Sequence, residues 1–113
     1  MIIVATELHV RSFWRFFEFA LVSARSMQQA KKTAGNIYAA GKNKSWSIGY
    51  TLTVWENTEA MLDFRNTGAH KLAMSKTRKL SHQYKTLQWE SDKQPDWEEA
   101  GTRLAETAFK LLN

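Results

Sequence analysis

The chain contains no cysteine. That excludes a disulfide scaffold, a thiolate zinc site, a cysteine nucleophile and a thiolate-held iron–sulfur centre. One proline and five glycines in 113 residues are too few for a collagen-like chain or a Pro/Gly-rich linker. Long apolar runs are missing too. A membrane-crossing helix needs about 20 apolar residues, whereas residues 19–24, FALVSA, are the charge-free run near the amino terminus. Glu7, His9, Arg11, Arg15 and Glu18 precede that run, where a secretory signal would keep a basic start and an unbroken apolar core. The expectation is a cytoplasmic protein without a membrane partner. The sequence has no Gly-rich phosphate loop, no Ser-His-Asp order, and no deaminase or nuclease signature.

What is present fits one domain over residues 1–113. The composition is 43% hydrophobic and 12% aromatic, with five tryptophans that are costly to leave in water. The formal net charge is +5, and it is unevenly placed. Arg65, Lys71, Lys76, Arg78, Lys79 and Lys85 share the stretch 64–89 with no acid, while residues 90–113 are mainly acidic. A basic stretch reads either as an anion-steering surface or as the solvated face of a helix. No stacking-aromatic motif or glycine clamp accompanies it, so nucleic acid is not expected as a partner.

Hydrophobic periodicity supplies the elements. Residues 2–10, IIVATELHV, alternate with Ile2, Val4, Thr6 and Leu8 on one face and Ile3, Ala5, Glu7 and His9 on the other. Ser12 caps a helix whose Phe13, Phe16, Phe17, Ala20, Leu21, Ala24 and Met27 form an apolar stripe. Trp14, Phe19 and Val22 fall off that stripe. The helix is thus apolar around more than half its girth and is expected to touch two surfaces, a sheet beneath and a partner beside it. Gly35 closes it; 36–40 is a short strand, 41–45 a turn, and 45–56 the strongest strand. Asn57 or Thr58 caps a helix carrying Ala60, Met61 and Phe64, interrupted at Gly68 and resumed through His70, Leu72, Ala73 and Leu80. Residues 82–90 form a fourth strand, and Pro95 precedes a terminal helix reaching Leu112.

The order β-α-β-β-α-β with an appended helix predicts an α+β, ferredoxin-like fold: a four-stranded antiparallel sheet with helices on one face. Alternation assigns Glu7, His9, Tyr38, Thr51, Thr53 and Trp55 to the other, open face. A wholly solvated face would not carry Trp55, so a homodimer with facing sheets and a half-polar cavity is expected.

Several short motifs carry a family resemblance. These are Gly35, the Val54-Trp55-Glu56 strand end, Gly68-Ala69-His70, Trp89 and Pro95-Asp96-Trp97-Glu98. Together they resemble the dimeric α+β barrel superfamily, which includes the antibiotic-biosynthesis-type monooxygenases. The nearer match is a bacterial branch related in pattern to spheroidene monooxygenase. The resemblance implies a dimer and a pocket between sheet and helices. It also implies oxygen chemistry without metal or flavin on an electron-rich aromatic or polyene-type small molecule. On this sequence it points to His70 as base or donor and Trp55 as pocket wall. His9, Glu7, Tyr38, Thr51 and Thr53 join as substrate-binding groups by the face argument, not by the family.

Each assignment has a plainer counterpart. His70 is equally a helix-start histidine bonded to a carbonyl. Some superfamily members bind haem through a helix histidine, which keeps His70 as a haem ligand among the readings. The segment between Trp55 and His70 is shorter than in those members. His9 and Glu7, two apart on a strand, either orient each other or form a wetted edge pair. Trp14, Trp46 and Trp89 read as packing, and Trp97 as an anchor for the last helix. Three scattered histidines and isolated carboxylates do not make a metal site. A dimeric binding module without catalysis is the remaining alternative.

Overall fold

The computed structural model describes residues 1–68, 71, 76 and 80–111. The elements are β1 (Ile2–Val10), α1 (Phe13–Lys32), β2 (Asn36–Ser45), β3 (Ile48–Trp55), α2 (Thr58–Arg65), β4 (Ser81–Glu90), α3 (Trp97–Ala105) and β5 (Lys110–Leu111). They form one antiparallel sheet in the order β2-β3-β1-β4-β5. The α+β ferredoxin-like arrangement is therefore present. Its first four strands are the expected ones, with β1 in the centre. His70, Leu72 and Ala73, assigned to the resumed helix, lie outside the described residues.

Local chemistry explains most boundaries. Ser12 is the N-cap of α1 and its hydroxyl accepts from the Arg15 amide, while Lys31 and Lys32 complement the carboxyl end of the dipole. Asn57 caps α2 and Asp96 caps α3 in the same way, accepting from Ala60 and Glu99 amides. Gly35 turns the chain after α1 with φ +89, a left-handed conformation. A Cβ there would also stand 2.5 Å from the Ala60 methyl.

Three expectations need correction. The segment 41–45 is strand, not turn: β2 runs on to Ser45 and the reversal is confined to Trp46 and Ser47. The terminal helix stops at Ala105, and the chain returns as β5 beside Gln83 and Tyr84 of β4. Helices also cover both faces of the sheet. One core joins Ile2, Trp55 and Ala39 to Met27 and Ala30 of α1 and to Ala60, Met61 and Phe64 of α2. The other joins Ile3, Ala5, Leu52 and Val54 to Ala100 and Leu104 of α3. The helix past Pro95 is a second cover for the sheet rather than an appendage.

The α1 stripe is also corrected. The helix buries Phe19, Ser26, Met27 and Ala30 against the sheet. Phe13, Phe17 and Leu21, expected inward, are about half exposed, and Trp14 is 80% exposed. The reason lies on β3. Gly49 opens a notch in the sheet into which Phe19 fits, so closely that a Cβ would stand 2.6 Å from the ring. Shape at that notch decides the helix rotation over the broader apolar stripe.

These placements predict opposite outcomes for two tryptophans. Trp55→Ala, at a fully buried ring, should cost about 3–5 kcal/mol. Trp14→Ala should stay within about 0.5 kcal/mol of the parent. Gly49→Ala should cost about 1–3 kcal/mol by overpacking against Phe19. Denaturant midpoints for the three variants check all of this.

Candidate functional site

Strand register brings together side chains that are distant in sequence. β1 is paired on both sides, and directly opposite residues share a face. Glu7 lies opposite Tyr50 of β3 and opposite Lys85 of β4, and His9 lies opposite Gln83. All point away from α1 and α2, and Tyr50 also packs against the α3 core.

Glu7 is the hub. Its Oε2 stands 2.7 Å from His9 Nε2; a carboxylate only accepts, so the ring Nε2–H donates. Lys85 Nζ stands 3.9 Å from Oε1, and Tyr50 faces the same residue from β3. His9 Nδ1 is left as the acceptor, 3.4 Å from Gln83 Nε2. Only 12% of the Glu7 side chain and 7% of Lys85 reach solvent. Phe109 covers the group, its ring edge-on to His9 at 4.9 Å and 4.3 Å from Lys85 Nζ. The result is a half-dry polar cluster with an aromatic roof.

Burial, and then the negative charge of Glu7 opposite it, hold the Tyr50 phenol above its usual value of 10.0. Tyr50 is therefore a neutral donor through the physiological range.

The remaining assigned residues are elsewhere. The face argument grouped Thr51, Thr53 and Trp55 with Glu7, His9 and Tyr38, and the register separates them. Thr51, Thr53 and Trp55 pair with Thr6, Val4 and Ile2, on the face beneath α1 and α2. Trp55 is enclosed there, stacked on Phe64 at 5.0 Å, and its indole N–H is buried without a partner. Thr53 is buried beside it. Tyr38, opposite Val54, shares the Glu7 face but packs against the α3 core. Sequence reasoning missed Tyr50, Gln83, Lys85 and Phe109. The only available signal was charge complementarity between Glu7 and Lys85 on strands not yet known to be neighbours.

An open groove of about 510 Å³ lies beside the carboxyl half of α1, lined by Arg25, Gln28, Gln29, Lys32, Thr33 and Thr67. It holds none of the assigned site residues. Among the described residues, no group of three or more His, Asp or Glu side chains is placed to hold a metal ion. The described histidines do not fit a haem either: His9 is engaged with Glu7 and Gln83, and His82 is exposed. Among the described residues, no helix is long and apolar enough to cross a membrane.

The family model described as Domain of unknown function (DUF3291) matches residues 18–109. The chain belongs to this DUF3291 family. No curated protein matches it in sequence. Solved structures share the fold of this chain. SnoaB, a cofactor-independent oxygenase from Streptomyces nogalater, superposes with a TM-score of 0.66 at 14% identity, over 82% of this chain and 94% of its own. An antibiotic-biosynthesis-monooxygenase-like protein from Deinococcus radiodurans gives 0.73 at 13% identity, over 85% and 97%. A Mycobacterium tuberculosis protein gives 0.74 at 6% identity, over 84% and 98%. At such identities the shared property is the fold, and it is the antibiotic-biosynthesis-monooxygenase fold that the motifs resemble.

The raised Tyr50 pKa has a consequence for alkaline stability. The unfolded chain releases this proton at lower pH than the folded one. The contribution is complete below pH 10.0 and is lost as pH rises through the raised value. Tyr50→Phe should flatten the loss of stability above pH 10.0. Denaturant unfolding of parent and variant on either side of that pH tests it, and identical slopes would contradict the raised phenol pKa.

Proposed function

We propose that this chain is a cofactor-independent monooxygenase-like protein acting on a small, electron-rich aromatic or polyene-type molecule, with His9 as the base. The observation that carries this reading is the Glu7–His9 contact of 2.7 Å beneath Phe109. A carboxylate holding Nε2–H orients the ring and leaves Nδ1 to take a proton. A substrate hydroxyl or acidified C–H at Nδ1 takes the place of the Gln83 amide. Lys85 and Tyr50 supply positive charge and a neutral donor beside the anion that forms.

Such a substrate is its own reductant. Deprotonation yields a delocalised anion that gives electrons to O2. An activated CH2 then becomes C=O, one oxygen atom is retained and the other leaves as water. The protein supplies the proton acceptor, electrostatic stabilisation and a water-poor surface. The fold shared with a cofactor-independent oxygenase supports the reading. A second copy laid over the part of the Glu7 face that α3 leaves uncovered would complete that water exclusion, so the working unit is a homodimer.

Oxygen uptake with polycyclic phenols or quinols tests the assignment. His9→Ala should lower kcat roughly 10²–10⁴-fold, with Glu7→Gln a smaller loss. His70, which the family resemblance singles out, is the rival base, and His70→Ala belongs in the same assay. Activity lost with His70→Ala and kept with His9→Ala would transfer the role. Tight substrate binding without oxygen uptake by the parent would make this a binding module instead.

A further inference from the structure

We propose that the aromatic ridge of α1 and the β2–β3 turn docks on an anionic lipid surface. Phe13, Trp14, Phe17 and Leu21 stand on the side of α1 turned away from the sheet, and Trp46 joins them from the turn. Trp14 is 80% exposed, and the other four lie between 45% and 57%. A lone exposed aromatic is ordinary; five contiguous large apolar side chains mark an interaction surface. Phe13 ties the group together by edge contacts to Trp14, Phe17 and Trp46 at 6.0, 5.5 and 5.7 Å. Ala20 and Ala24, also exposed, continue the ridge without charge.

The rim decides the occupant. Along α1 the one acid is Glu18, against Arg15, Arg25, Lys31 and Lys32. Glu18 is held by Lys76 at 3.1 Å and by Arg15 at 3.7 Å, so it offers little free negative charge. A second copy seated on this ridge would bring like charges together. Antiparallel α1 helices would set Arg11 and Arg15 against Arg25, Lys31 and Lys32; parallel ones would match each cation with itself. An anionic bilayer reverses the sign of that interaction. Aromatic rings enter the headgroup boundary while the flanking cations meet the lipid phosphates. The helix is already folded, with Met27 and Ala30 fixed in the core, so docking has no helix-ordering cost of the kind a free amphipathic segment carries.

The ridge lies on the opposite side of the sheet from Glu7 and His9, so this proposal goes beyond the oxygenase reading and is tested apart from it. The full chain is sedimented with vesicles of mixed phosphatidylcholine and phosphatidylglycerol, and with phosphatidylcholine alone. The expected result is binding to the mixed vesicles, a blue shift of tryptophan emission that Trp14→Phe diminishes, and release by high salt. Trp14→Ser with Phe17→Ser should weaken binding about tenfold or more. If that pair lowers the melting temperature, Arg25→Glu with Lys44→Glu provides the charge-only version, with the same expected loss. Absence of binding, equal binding to uncharged vesicles, or binding unchanged in both double variants would overturn the proposal. So would sedimentation equilibrium showing a dimer that Trp14→Ser dissociates, which would assign the ridge to a second copy.

Discussion

The pairing of β1 with β3 on one side and β4 on the other is the constraint on which the rest depends. With both edges of β1 occupied, its alternation is imposed on the whole sheet. Ile2 and Val4 set the face that receives α1 and α2; Ile3 and Ala5 set the face that receives α3. A slip of one residue would exchange these sets and place Glu7 and His9 beneath α1. The two cores thus hold the register, and the register holds the polar cluster.

That cluster is expensive as structure alone. A buried carboxylate and a buried ammonium both lose hydration, and a separation of 3.9 Å recovers only part of it. Glu7 is nonetheless well supplied, with an imidazole N–H, a phenol and a cation around one carboxylate. Phe109 arrives there because the chain turns back after Ala105 and adds β5 to the edge of β4. The roof over the cluster and the fifth strand are two results of the same reversal. The wider superfamily resemblance contributes the fold; the Glu7–His9 pair is a feature of this chain's own residues.

The first four strands, two caps and the order of the first six elements were legible because they rest on local rules: period-two alternation in 2–10 and 45–56, and Ser12 and Asn57 before helical runs. Glu7 and His9 as a mutually orienting pair were legible for the same reason, since residues two apart on a strand share a face. The grouping of Trp55, Thr51 and Thr53 with them failed. Alternation sorts the residues of one strand but does not say which face of a neighbour they join. Polarity was taken as the guide, and β3 violates it: its small and polar residues lie under a helix because Phe19 needs Gly49.

The amino-acid sequence by itself determined the order of the first six elements, the caps of α1 and α2, the α+β class and the lack of thiol chemistry, because each follows from nearest-neighbour sterics, capping and composition. Tertiary structure decided which face each strand presents and which tryptophans are buried. It also brought Tyr50, Gln83, Lys85 and Phe109 to Glu7 and His9. These depend on long-range register and on the fit of one ring into one notch. The clearest case is α1. Its apolar residues surround the helix, so periodicity could not choose a side, and the sheet chose the one that seats Phe19.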